Sequence, residues 1–112
     1  MNWISLETAE QLQHIKASNQ FSLIFKHSTR CSISLMAKKK LELEADALPE
    51  TLPVYYLDLL NYRAISNEIA DLFQVHHESP QLLLIKDGEC IYEASHGEIS
   101  AEEVAEQMMQ KA

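Results

Sequence analysis

The stretch Phe21-Ser22-Leu23-Ile24-Phe25-Lys26-His27-Ser28-Thr29-Arg30-Cys31-Ser32-Ile33-Ser34 runs straight into Leu35-Met36-Ala37-Lys38-Lys39-Lys40-Leu41-Glu42-Leu43-Glu44-Ala45. Its first part is a short apolar run with polar flanks, which predicts a buried strand over 21–26. Its continuation is rich in good helix formers and lacks Gly and Pro, which predicts a helix from about Cys31 to Ala47. Cys31 therefore stands where a strand gives way to the first turn of a helix. Backbone N–H groups there have no intrahelical partners, and the helix dipole adds partial positive charge. That setting favours a thiolate, and Arg30 beside it adds a formal charge.

Working outward, Thr8 and Gln11 form a capping-box pattern, with Leu12 and Ile15 as the apolar stripe of a first helix reaching about Asn19. Pro49 and Pro53 bracket the exit from the second helix. Val54-Tyr55-Tyr56-Leu57-Asp58-Leu59 reads as a second buried strand. Asn61 is placed to cap a third helix with Ile65, Ile69, Leu72 and Phe73 on one face. Gln81–Lys86, the turn Asp87-Gly88 and Glu89–Ala94 read as a β-hairpin. Ser100 and Glu103 open a terminal helix through Met108 and Met109, with Ile99 and Val104 as its staple. A short strand around Trp3 completes the order. Long segments between the first strands imply parallel pairing through helical crossovers, and the hairpin is antiparallel. The fold class is therefore α/β: a mixed central sheet flanked by helices on both faces, in one domain over 1–112.

Composition narrows the function. The chain has 9 Lys and Arg against 17 Asp and Glu, a formal charge of −8, which disfavours a nucleic-acid partner. The one basic cluster, Lys38-Lys39-Lys40, reads as a solvated helix face followed by acids. No apolar run reaches membrane-spanning length, and the first residues resemble no secretion signal, so a cytoplasmic location is expected. In that reducing setting the 2 cysteines, Cys31 and Cys90, are expected to be free thiols. No Cys/His spacing resembles a zinc site, so no metal is expected.

A cysteine at a strand-to-helix turn, with Pro80 opening the hairpin strand, resembles the thioredoxin fold over nearly the whole chain. Within that superfamily, Lys26-His27-Ser28-Thr29-Arg30-Cys31-Ser32-Ile33-Ser34, with Glu78-Ser79-Pro80-Gln81 and Ala94-Ser95-His96, resembles the YtxJ-type monothiol bacilliredoxins of the bacillithiol redox system. Members of that family usually carry Thr-Cys-Pro-Ile; here Arg30 precedes the cysteine and Ser32 replaces the proline, removing its constraint from the turn. The resemblance implies a thiol–disulfide oxidoreductase with Cys31 as the catalytic residue. Around it would stand Thr29, Arg30, Ser32, Ser34, Ser79, Pro80, Ser95 and His96, with a cis bond before Pro80. It implies no cofactor beyond bacillithiol as thiol co-substrate. The implied partners are S-thiolated client proteins, the low-molecular-weight thiol, and another redoxin or reductase.

A dithiol enzyme needs Cys-x-x-Cys, whereas Ser34 stands where the second sulfur would be. Its hydroxyl cannot resolve a disulfide but can donate a hydrogen bond to the Cys31 thiolate. In an unbroken two-residue hairpin Cys90 faces Ile85 and His96 faces Ser79. Cys90 then lies on the order of 20 Å along its strand from His96, too far to bridge to a cysteine packed beside Pro80. His96 at that edge could pair with the thiolate, bind a carboxylate or move a proton. His27 is placed beneath the motif, and His76 and His77 are expected at the surface. Two other functions remain open: an iron–sulfur carrier like the monothiol glutaredoxins, whose motif glycine this chain lacks, and a non-catalytic thioredoxin-like adaptor.

Overall fold

A computed structural model describes residues 1–112. The elements are β1 (Trp3–Ser5), α1 (Ala9–Ala17), β2 (Ser22–His27), α2 (Ser32–Leu43), β3 (Val54–Asp58), α3 (Arg63–Phe73), β4 (Gln81–Lys86), β5 (Glu89–Ser95) and α4 (Ala101–Lys111). Single 3₁₀ turns occupy Ala45–Ala47 and His96–Glu98. The strands form one mixed sheet in the order β1-β3-β2-β4-β5. β3 runs parallel to β1 and β2, while β4 is antiparallel to both β2 and β5. No helix is long and apolar enough to cross a membrane.

The period-two alternation of the central strands divides the core. Leu23 and Phe25 of β2, with Leu82 and Leu84 of β4, pack with Ala37 and Leu41 of α2 and Val104 of α4. Ile24 of β2, with Leu83 and Ile85 of β4, packs with Leu12 and Ile15 of α1 and Ile69 and Phe73 of α3. Strands buried on both faces read as near-continuous apolar runs, which is why β2 and β4 stand out in the sequence.

Several elements depart from the sequence reading. The second helix ends at Leu43 rather than Ala47, and the chain tightens into a 3₁₀ turn. Glu44, at its end, turns a carboxylate oxygen to the Ala101 N–H at 3.0 Å, so it caps α4. Asn61 does not cap the third helix: Tyr62 takes that position without a side-chain bond, and the Asn61 amide donates instead to Asp58 Oδ2 at 2.7 Å. The capping box at Thr8 forms, and Ser100 accepts from the Glu103 N–H. In the hairpin turn Asp87 and Gly88 both have positive φ, at 54° and 73°. A side chain at Gly88 would also bring its Cβ within 2.5 Å of the Lys16 carbonyl oxygen, so the position requires glycine.

The hairpin register slips by one residue. Ile85 faces Cys90 as expected, but Leu84 faces Tyr92 and Gln81 faces Ser95, leaving Ile91 as a bulge. His96 is consequently aligned with Pro80, not Ser79, and its N–H donates to the Pro80 carbonyl at 3.2 Å.

Candidate functional site

The site is built at the carboxyl end of β2. Cys31 is the N-cap of α2, in extended conformation (φ −101°, ψ 122°), and its own N–H is tied to the Ser28 carbonyl at 3.1 Å. This closes the turn Ser28–Cys31 and leaves the sulfur beside the open first turn of α2. Cys31 is a half-buried free thiol, while Thr29, Arg30 and Ser32 around it are exposed. No acidic side chain forms an ion pair with Arg30.

Ser34 occupies the third helical position and is fully buried. Its hydroxyl oxygen accepts from the Ser28 N–H at 3.0 Å and shares a 2.6 Å hydrogen bond with His27 Nδ1. It makes no bond to Cys31, contrary to the expectation that it would support the thiolate directly. The geometry explains why: the side chain points down toward β2, where His27 waits, and not back to the N-cap. His27 is itself fixed by stacking on Phe25, ring centroids 5.6 Å apart, and by Tyr56 at 5.4 Å. Burial lowers the His27 pKa, assisted by the Lys38 charge and opposed by Asp58, so the imidazole is held toward its neutral form. Ser34 thus locks the cysteine turn to the strand beneath it. Ser34→Ala would leave the Ser28 N–H and His27 Nδ1 without their partner and should cost about 1–3 kcal/mol, read as a lower urea midpoint.

The chain around Pro80 enters β4 at this same end of the sheet. The Ser79-Pro80 peptide is cis, as the resemblance implied. Pro80 is buried, and the Ser79 hydroxyl is buried without a hydrogen-bond partner. The register sets Gln81 beside Lys26, five residues before the cysteine, which brings the Pro80 segment to the same end of the sheet as Cys31. Ser95 closes β5 opposite Gln81, and His96 follows with a left-handed backbone, φ 54°. The His96 ring is half-exposed, and its Nε2 lies 4.0 Å from Glu78, whose other oxygen lies 3.7 Å from His76.

Cys90 sits at the opposite end. Ile85, its partner, is aligned with Ser22 at the start of β2, roughly 13 Å of strand away from the Lys26–Gln81 pair. The Cys90 thiol donates to the Tyr92 carbonyl at 3.4 Å, and burial pushes its pKa up to about 11. It is a protonated packing thiol, beyond the reach of a disulfide to Cys31.

The sequence reading missed one buried group. Lys26, directly after the apolar residues Leu23-Ile24-Phe25, is fully buried on the α3 side, with Nζ 3.2 Å from His77 Nδ1 and 3.4 Å from the Ser66 carbonyl. His77 is therefore not the surface residue expected; only its neighbour His76 is exposed. Lys26 fastens the segment leading to Pro80 onto α3. Burial lowers its pKa from 10.5 to about 8, and burial with the Lys26 and Arg63 charges lowers that of His77. The unfolded chain thus binds more protons than the folded one between pH 8 and 10.5, and this lysine's penalty fades as pH rises through that window. Lys26→Met should be at least as stable as the wild type near pH 7, with the gap closing toward pH 10. Paired urea melts at the two pH values check the sign; a gap that widens with pH would contradict it.

This arrangement, a cysteine capping the helix after a central strand with a cis-proline at the same end of the sheet, is that of the thioredoxin fold. Among solved structures the chain is similar to a thioredoxin-fold protein assigned as an oxidoreductase, at 28% identity and TM-score 0.82, covering 95% of this chain and 93% of that one. It is similar in fold to the thioredoxin of Trypanosoma brucei brucei, at 12% identity and TM-score 0.77, covering 98% and 90%. The thioredoxin of Malassezia sympodialis is also similar, at 16% identity and TM-score 0.73, covering 96% and 90%. The family model for the monothiol bacilliredoxin BrxC matches residues 4–104, and the chain belongs to that family. Its class of activity is accordingly thiol redox chemistry on a thioredoxin scaffold.

Proposed function

We propose that the protein removes bacillithiol from S-thiolated proteins by a monothiol mechanism. The Cys31 thiolate attacks the bacillithiol sulfur of a mixed disulfide. One S–S bond forms at Cys31 as the bond to the client breaks, and the client leaves as a thiolate that takes up a proton from water. No net oxidation occurs, because one disulfide replaces another. A second thiol, free or carried by another redoxin, then discharges Cys31. The exchange needs no metal and no cofactor beyond bacillithiol, and it belongs in a reducing compartment such as the cytoplasm.

The observation that carries this reading is the pairing of roles at the α2 terminus. Cys31 stands at the open first turn, and the residue three positions on is a buried hydroxyl already bonded to His27 and Ser28. Such a site can form a mixed disulfide and has no local nucleophile to resolve it. Arg30, Thr29 and Ser32 form the exposed approach, and Ser79, Pro80, Ser95 and His96 the opposite rim. The test is catalytic turnover: substoichiometric protein, supplied with free bacillithiol as the discharging thiol, should free the thiol of an S-bacillithiolated client well beyond one equivalent. Release no faster than with bacillithiol alone would refute the proposal.

A further inference from the structure

Between α2 and the 3₁₀ turn after β5 runs a groove of about 340 Å³. Ile33, Met36 and Lys40 line one side, and His96, Gly97 and Ile99 the other. The three α2 residues follow Cys31 at helical spacing, so they form one stripe leading away from the sulfur. The stripe is chemically graded. Ile33 and Met36 are 53% and 72% exposed, far more than core residues of a helix, and the stripe ends in a cation. That cation is uncommitted. Lys38 is paired with Glu42 at 3.1 Å and lies over the rings of Trp3 and Tyr56, whereas Lys40 has no acidic partner. The nearest acids along the helix are already engaged: Glu42 by Trp3 and Lys38, Glu44 by the Ala101 N–H.

The far wall is open by composition. Gly97 needs neither a positive φ nor close packing, since a Cβ there would meet nothing within 4 Å. The backbone does not demand glycine at this position, and a larger residue would add a side chain in open space on the groove's wall. A hollow of this size is within the range that small molecules fill.

We propose that this groove is the subsite for the non-sulfur part of the small thiol carried on Cys31, with Lys40 binding its terminal carboxylate. The proposal rests on the monothiol function above and specifies where the adduct lies. From Cys31 to Lys40 the helix advances about 13 Å, and a lysine stem leans back toward the N-terminus, shortening the span. A cysteine extended through a sugar to a dicarboxylate, the form of bacillithiol, has the reach and the charge to lie along it. The ring's C–H face would rest on Ile33 and Met36, and the malyl end would meet the ammonium. His96 stands at the mouth of the groove, beside Pro80.

The test compares two small disulfides with the reduced protein in single-turnover reactions: bacillithiol disulfide, which is long and anionic, and hydroxyethyl disulfide, which is short and neutral. Each reaction forms one bond to Cys31 and releases one thiolate. Lys40→Glu, and separately Gly97→Leu, should lower the ratio of the two rates about tenfold or more, as loss of a charge-assisted contact implies. Lys39→Glu, an exposed neighbour outside the groove, should change the ratio less than about twofold, as a solvated charge does. An unchanged ratio in both groove variants overturns the proposal. So does an equal fall in Lys39→Glu, which would mean a general field and not a subsite. Wild-type protein that reacts with hydroxyethyl disulfide but not with bacillithiol disulfide would refute the functional reading itself, and needs no variant to reveal it.

Discussion

Ser34→Cys is expected to change the product of the reaction, not just its rate. In the wild type the hydroxyl at this position is buried and held by His27 and Ser28, so an adduct on Cys31 meets no attacking group within the protein. Side chains three apart on a helix stand about 5–6 Å from one another, within range of a disulfide after a rotamer change. The new thiol would lie over His27, whose neutral imidazole can accept its proton. Treated with bacillithiol disulfide, the wild type should accumulate one adduct per chain that persists until thiol is added. Ser34→Cys should expel the bacillithiol and end as an intramolecular disulfide. Intact-mass measurement separates the two products. Spontaneous discharge by the wild type, or a stable adduct on Ser34→Cys, would count against the monothiol mechanism.

The second large effect is the division of labour between the cysteines. Cys31→Ala should abolish de-thiolation to the uncatalysed level, and Cys90→Ala should retain it. Cys90 is aligned with the far end of β2, and its thiol, held near pH 11 by burial, contributes almost no nucleophilic thiolate at neutral pH. Cys90→Ala removes a small side chain packed beside Ile85 and its neighbours, so a modest loss of stability with unchanged activity is the expected result. Rates of client-thiol release for the two variants check this directly. A Cys90→Ala variant without activity would place chemistry where the structure places packing.

How far the sequence could be read depended on how local each signal was. The β2–α2 junction was legible because an apolar run and a helix-forming run meet at one cysteine, and both signals lie within their own segments. The β4–β5 hairpin was legible for a similar reason, since Asp87-Gly88 is a turn with a known geometry. The bulge at Ile91 was not, because nothing in Cys90-Ile91-Tyr92 marks one residue as surplus. It moved the alignment of His96 from Ser79 to Pro80. Asn61 was read as a cap by its residue type, but the nearby Asp58 carboxylate draws its amide away. Lys26 was the largest omission. Its partners, Ser66 and His77, are 40 and 51 residues away, so only the folded chain shows that this lysine is enclosed. Ser34 falls between these cases: its replacement of a second thiol was visible, but its commitment to His27 was not.

The central claim is that one sulfur, that of Cys31, takes the small thiol from a protein and holds it. The most direct measurement is peptide mapping by mass spectrometry after a single turnover with an S-bacillithiolated client, quenched by alkylation. One bacillithiol per chain is expected, on the peptide containing Cys31, with a matching amount of alkylated client thiol and Cys90 unadducted. A client–Cys31 mixed disulfide as the accumulating product, bacillithiol on Cys90, or a client that keeps its bacillithiol would contradict it.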